Sequence, residues 1–196
     1  AKRCDVVILC VPSTKAMAFG AELRKAGVRV IDAAPDFRLK DAEVYAQTYK
    51  VAHCAPELLA EAVYGLVPFY REQLKKASLV AVPGCYPISA ILPLRPLRSE
   101  TLTDVPIVID SISGISGAGR SLSDHYHFPE MNENLRAYSL GVHRHVPEIE
   151  QELFNKVKVQ FTPHVAPLTR GILTTITIHL RRDADVDLDA AYELYR

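Results

Sequence analysis

Charge of either sign is not in excess in this chain: 23 Lys and Arg stand against 23 Asp and Glu in 196 residues. Without a basic surplus there is no electrostatic footprint for nucleic acid or for an anionic membrane surface, so neither is an expected partner. Long apolar runs are missing as well. The longest, such as VVILCVP and SLVAVPG, are strand-length, far short of the roughly 20 residues a membrane-spanning helix needs. Cysteine is sparse, and the four thiols at 4, 10, 54 and 85 form no CxxC pair and no regular framework. A disulfide scaffold and a zinc centre are therefore disfavoured, and no metal is expected. The same pattern fits a reducing, cytoplasmic compartment, with an organelle matrix as the alternative. Repeats and low-complexity tracts are absent.

What is present begins with an unbroken apolar run at residues 5–11, DVVILCV, which reads as a parallel strand covered on both faces. Cys4 and Cys10 flank or sit in it, where core packing is the usual fate of a thiol. Ser13 offers an N-cap to a helical pattern that Gly27 stops, and VRVIDAA follows as a second strand. Such a unit predicts a crossover in a parallel sheet. Short helices are expected at 41–49, 56–63 and 68–77, then a strand at 79–82. Beyond Cys85 the pattern changes. ISAILPL is helical with Pro93 near its end, VPIVIDSIS (105–113) is a strand, and 121–140 reads as a long loop with a helical turn. VPEIEQELFNKV starts a helix with Pro147 in its first turn, and KVQFTPHVAPL and RGILTTITIHLRR are long strands. The expected fold class is thus α/β plus α+β: a parallel sheet, then a domain with a mainly antiparallel sheet.

Chemistry concentrates in a few stretches. In VAVPGCYPIS a strand ends in Pro-Gly and turns straight into a helix, which puts Cys85 at the helix N-terminus. Free N–H groups and the macrodipole stabilise a thiolate there, so Cys85 is a candidate nucleophile. In GVHRHVPEI an extended backbone would point His143 and His145 to one side, as acid/base partners for the thiol. SISGISGAGR offers backbone N–H groups over Ser113, Gly114, Ser116, Gly117 and Gly119, plus the cationic fork of Arg120, for an anion. Arg38 follows a strand in DFRLKD, and His164 and Arg170 lie between two strands in FTPHVAPLTRGI. At this level a cofactor-independent cysteine hydrolase or acyltransferase stays open beside a reductase.

Together DFRL, PELL with YGL, VPGCYP, SGISGAGR, HRHVPEI and FTPHVAPLTRGIL, in that order, resemble the N-acetyl-γ-glutamyl-phosphate reductase family of the aspartate-semialdehyde dehydrogenase superfamily. The resemblance implies an NADP(H)-dependent oxidoreductase of arginine biosynthesis. Cys85 would form a thioester from a small-molecule acyl phosphate, and His143 or His145 would act as acid/base. Arg38, Arg120 and Arg170 would bind substrate carboxylate or phosphate, and Ser113, Gly114, Ser116, Gly117 and Gly119 would lie along the cofactor. It also implies a homo-oligomer, a dimer or tetramer. Its domains would be a partial Rossmann-like dinucleotide-binding domain at 1–84, a catalytic and dimerisation domain at 85–182, and the start of a returning segment at 183–196. The lysine-pathway aminoadipyl-phosphate reductase and an inactive fragment are the alternatives. Departures from the family pattern are the missing glycine-rich GxxGxxG loop, Ile88 in place of threonine, and Pro35 where a small residue is usual. An internal portion of a longer protein is expected on that basis.

Overall fold

The computed structural model describes residues 4–97, 101–119, 121–153, 157–184 and 188–193. The chain divides into two units, Ala1–Gly84 and Cys85–Arg196.

In the first unit, β1 (Val6–Leu9), α1 (Ala16–Lys25) and β2 (Arg29–Asp32) form the strand–helix–strand unit, and β1 pairs with β2 in parallel. Next come α2 (Ala42–Tyr49), α3 (Glu57–Glu61), β3 (Val63–Tyr64), α4 (Val67–Lys76) and β4 (Leu79–Ala81). The sheet is wholly parallel in the order β1-β2-β4-β3. Val30 and Leu79 sit in its centre with Phe37, Leu39, Tyr45 and Leu59 packed over them, all buried. Gly20 lets α1 lie against that layer, because a Cβ there would come within 2.7 Å of the Phe37 ring.

Three expectations change here. Among the described residues β1 is an edge strand and one of its faces is left uncovered: Val6 and Ile8 are 43% and 63% exposed. Cys10 follows them on the same alternation, and both Cys4 and Cys10 are exposed rather than core residues. The unbroken apolar run could not reveal this, since hydrophobicity says nothing about which neighbour arrives to cover a face. Ser13 does not cap α1. That work falls to Asp36, whose carboxylate accepts from the N–H groups of Thr14 (2.8 Å) and Met17 (3.1 Å). Asp41 caps α2 as a local N-cap, accepting from Glu43 and Val44.

The second unit opens with α5 (Cys85–Leu94) and β5 (Ile107–Gly114), followed by α6 (Phe128–Met131), β6 (Arg136–Ala137) and α7 (Val146–Glu152). β7 (Val159–Ala166), β8 (Ile172–Thr177) and α8 (Leu188–Glu193) complete it. Its sheet runs β6-β7-β5-β8. Two of the three pairings are antiparallel, as expected, while the longest, β5 with β7, is parallel. Side chains alternate strictly along β8. Ile172, Thr174 and Ile176 are half-buried, and Leu173, Thr175 and Thr177 are exposed. One face of the sheet, carrying Ile109, Ser111 and Phe161, is therefore buried, and α5 and α7 pack in this unit against β8 and β7. On the other face Leu173 is 66% exposed. Among the described residues no helix is long and apolar enough to cross a membrane.

Candidate active site

Cys85 is the first residue of α5, exposed, and reached directly from Pro83-Gly84. Its neighbour Tyr86 turns inward and is buried. The Tyr86 ring meets the rings of His143, His145 and Phe161 edge-on, with centroids 5.6, 6.0 and 5.1 Å away. Tyr138 closes the group from the other side, 5.6 Å from His143, and donates its phenol proton to the Tyr86 hydroxyl at 3.0 Å. Tyr86 in turn donates to the His164 carbonyl. Burial raises both phenols above the ordinary range, so they stay protonated as links in this chain.

Both histidines are buried and lie together, ring centroids 4.8 Å apart. They do not meet through an extended backbone as expected. The chain turns at His143, and His145 takes a helical conformation at the N-cap of α7. The turn is held by the His145 N–H, which donates to His143 Nδ1 at 3.1 Å. An acceptor at Nδ1 puts the proton of neutral His143 on Nε2. Burial first, and the Arg144 charge second, push His143 down to about 4. At neutral pH it is therefore an uncharged imidazole with one N–H to give, and a weak base.

The glycine-rich loop is tied rather than open. The N–H groups of Gly114, Ile115 and Ser116 donate to the carbonyls of Gly171, Leu168 and Thr169, and that of Gly119 to Ser116. The expected free N–H cradle is thus largely spent on the turn that carries Arg170. Gly114 permits the contact, since a Cβ there would sit 2.8–2.9 Å from the Arg170 and Leu168 backbone. Arg170 itself is exposed. Arg120 lies outside the described residues. The His164 side chain points to the opposite face from Phe161 and Val165, and its buried Nδ1 has no partner among the described residues.

In the first unit Arg38 is buried, and its guanidinium donates to the carbonyls of Val82 (2.7 Å) and Ala33 (3.0 Å). It ties the loop after β2 to the carboxyl ends of β2 and β4. Beside it lies a buried polar group that the sequence did not announce. Asp36 also accepts the Tyr45 hydroxyl at 2.9 Å. His53 binds the Asp36 carbonyl through Nε2 and accepts the Ala55 N–H at Nδ1. Burial raises Tyr45 and lowers His53. Asp32, fully buried, is pushed up to about 7, by burial above all and by Asp36 next among the raising influences.

The N-terminus of α1 is already satisfied within the chain. Asp36 accepts from the N–H groups of Thr14 and Met17 at the start of α1, so this helix end does not offer them to an anion such as a pyrophosphate.

Two family models match the chain: "Semialdehyde dehydrogenase, NAD binding domain" over residues 1–77 and "Semialdehyde dehydrogenase, dimerisation domain" over 85–196. The fold agrees. Aspartate semialdehyde dehydrogenase II from Vibrio cholerae superposes with a TM-score of 0.71 at 15% identity, covering 98% of this chain and 60% of that one. An aspartate semialdehyde dehydrogenase with NADP from Candida albicans gives 0.61 at 14% identity, covering 98% and 55%. The chain belongs to the semialdehyde dehydrogenase family. Within it, the sequence relatives are N-acetyl-γ-glutamyl-phosphate reductases. That of Pelotomaculum thermopropionicum is 51% identical over 185 residues, 92% of this chain and 53% of the relative. That of Methanopyrus kandleri is 48% identical over 194 residues, 98% of this chain and 56% of the relative. The chain spans little more than half the length of these relatives.

Proposed function

We propose that this chain carries the catalytic centre of an enzyme that reduces N-acetyl-γ-glutamyl phosphate to N-acetyl-glutamate semialdehyde in arginine biosynthesis. The observation that carries the reading is Cys85 opening α5 while the next residue, Tyr86, packs on both histidines. Sequence relatives bearing that name support the substrate.

In this mechanism the Cys85 thiolate attacks the acyl carbon, the bond from that carbon to the phosphate oxygen breaks, and phosphate leaves. Cys85 then holds the acyl group as a thioester. NADPH, when bound, would supply the hydride that the thioester carbon accepts; the carbon–sulfur bond then breaks, releasing the semialdehyde and returning the Cys85 thiolate. His143 donates its Nε2 proton as a hydrogen bond to the oxygen that gains charge at the acyl carbon, a role that suits a neutral imidazole. A weak base at Nδ1 cannot also manage the thiol proton, so acid/base duty passes to His145. Arg170, exposed beside the glycine loop, is the anion-binding residue, with Arg120 as a second. Arg38 is already committed to carbonyls and acts by holding the loop after β2.

The cofactor's nicotinamide end would run along Ser113, Gly114, Ser116, Gly117 and Gly119, and its pyrophosphate would be held by parts of the enzyme other than the N-terminus of α1. In domain terms 1–84 is the partial cofactor domain, 85–182 the catalytic and dimerisation domain, and 183–196 the start of a return. The protein works in the cytoplasm as a homo-oligomer, joined through the bare face of the second sheet around Leu173. Turnover of N-acetyl-γ-glutamyl phosphate against the aminoadipyl analogue, with NADPH and with NADH, tests the reading. The acetylglutamyl substrate with NADPH is expected to dominate, and comparable rates on both phosphates would defeat the substrate assignment.

A further inference from the structure

Between α5 and the second sheet the packing is mostly apolar: Ala90, Ile91 and Leu94 from the helix, Ile109 from β5. Three hydroxyls interrupt it. Ser89 Oγ donates to the Tyr86 carbonyl at 2.9 Å, Thr174 Oγ1 donates to Ser89 Oγ at 2.8 Å, and Ser111 Oγ lies 2.9 Å from Thr174 Oγ1. Each hydroxyl has one proton. Ser89 spends its proton on Tyr86 and Thr174 spends its own on Ser89, so Ser111 must donate to Thr174. The chain therefore has one direction, from the fully buried Ser111 on β5, through β8, to the first turn of α5.

We propose that Ser111, Thr174 and Ser89 form a hydroxyl tether that fixes the first turn of α5 and so positions the Cys85 thiol. Alanine and valine would fill the same volume without burying polar groups, so stability alone gives no reason for three hydroxyls in register. What they add is direction. The tether ends on the carbonyl of the residue that follows Cys85, while the phenol of that same residue is held by Tyr138 and the His164 carbonyl. Tyr86 is thus gripped at its main chain and at its side chain, and the Cα of Cys85 is one peptide away. These are positioning residues, and the proposal rests on Cys85 being the nucleophile.

The test needs neither acyl phosphate nor cofactor. Native protein is treated with iodoacetamide, and the rate at each cysteine is followed by peptide mass spectrometry from pH 6 to 9.5. Cys4, Cys10 and Cys54, exposed in the other unit, serve as internal references. Ser89→Ala leaves a good helix former in place, and Thr174→Val keeps the volume. Both are expected to change the Cys85 rate about five-fold or to move its pH midpoint, the reference cysteines staying within about two-fold. Thr174→Ser, which restores the donor, is expected to behave as the parent. An unchanged rate and midpoint at Cys85 in Ser89→Ala overturns the tether, as does a parallel change at all four cysteines. Should Thr174→Val fail to fold, Ser89→Ala decides alone. If alkylation responds but no acyl phosphate is turned over, the tether stands and the proposed function falls.

Discussion

Asp32 makes the stability of the first unit depend on pH. Its carboxyl is fully buried at the end of β2, one oxygen accepts the Ala34 N–H at 2.9 Å, and the other has no partner among the described residues. Burial and the neighbouring Asp36 push it up to about 7 from an ordinary 3.8, against the pull of the Ala34 and Phe37 N–H groups and Arg38. The unfolded chain releases this proton near pH 4, whereas the native chain keeps it to about 7. In that window the native state binds more protons, so stability falls as pH rises, and the loss is complete above 7. The three-unit gap corresponds to on the order of 4 kcal/mol. Asp32→Asn keeps an acceptor for Ala34 and cannot ionise. Urea unfolding, with amide exchange of the β2–β4 ladder reporting the first unit, should be measured for parent and variant from pH 4 to 8.5. His53, held neutral by burial, contributes the opposite slope below its unfolded value of about 6.5, and it cancels in the difference. The advantage of the variant over the parent should therefore grow with pH and level off above 7. A difference that does not vary with pH refutes the reasoning.

Asp36→Ala strips the cap from α1 and leaves the Tyr45 hydroxyl without its acceptor. It should cost about 3 kcal/mol or more in urea unfolding and speed exchange at the Met17 amide. Gly114→Ala drives a methyl against the Arg170 backbone. The expected loss is about 1–3 kcal/mol, with faster exchange at the Ile115 amide, and an unaltered amide would argue against the close approach. Nitrogen NMR should find His143 neutral at pH 5.5, with its proton on Nε2 and Nδ1 bare. A cationic ring at that pH contradicts both its burial and the role given to it.

Cys85 at the start of a helix was legible because strand, Pro-Gly and helix are local signals, each written within a few residues. The parallel arrangement of the first sheet was legible for a similar reason, since a strand–helix–strand pattern has few outcomes. The pairing of His143 with His145 was foreseen, but by the wrong route, because a turn closed by a histidine ring leaves no mark on hydrophobic periodicity. Nor does periodicity reveal that β1 keeps one face bare, or that the glycine loop would spend its N–H groups on residues 168–171. Asp36 illustrates the general limit. It caps a helix that starts 20 residues earlier, and its sequence neighbours contain nothing that distinguishes it from a solvated turn residue. Tyr138 had no signal of any kind. Tyr86 had a weak one, since a helix that starts at an exposed cysteine must turn its next aromatic inward.

The central claim is that Cys85 becomes acylated. The direct measurement is intact-protein and peptide mass spectrometry after mixing with N-acetyl-γ-glutamyl phosphate and no reductant. Phosphate release is expected together with an acyl adduct on Cys85, cleared by hydroxylamine, with Cys85→Ser losing both by several orders of magnitude. Phosphate release that persists in Cys85→Ser, or an adduct on another residue, contradicts it.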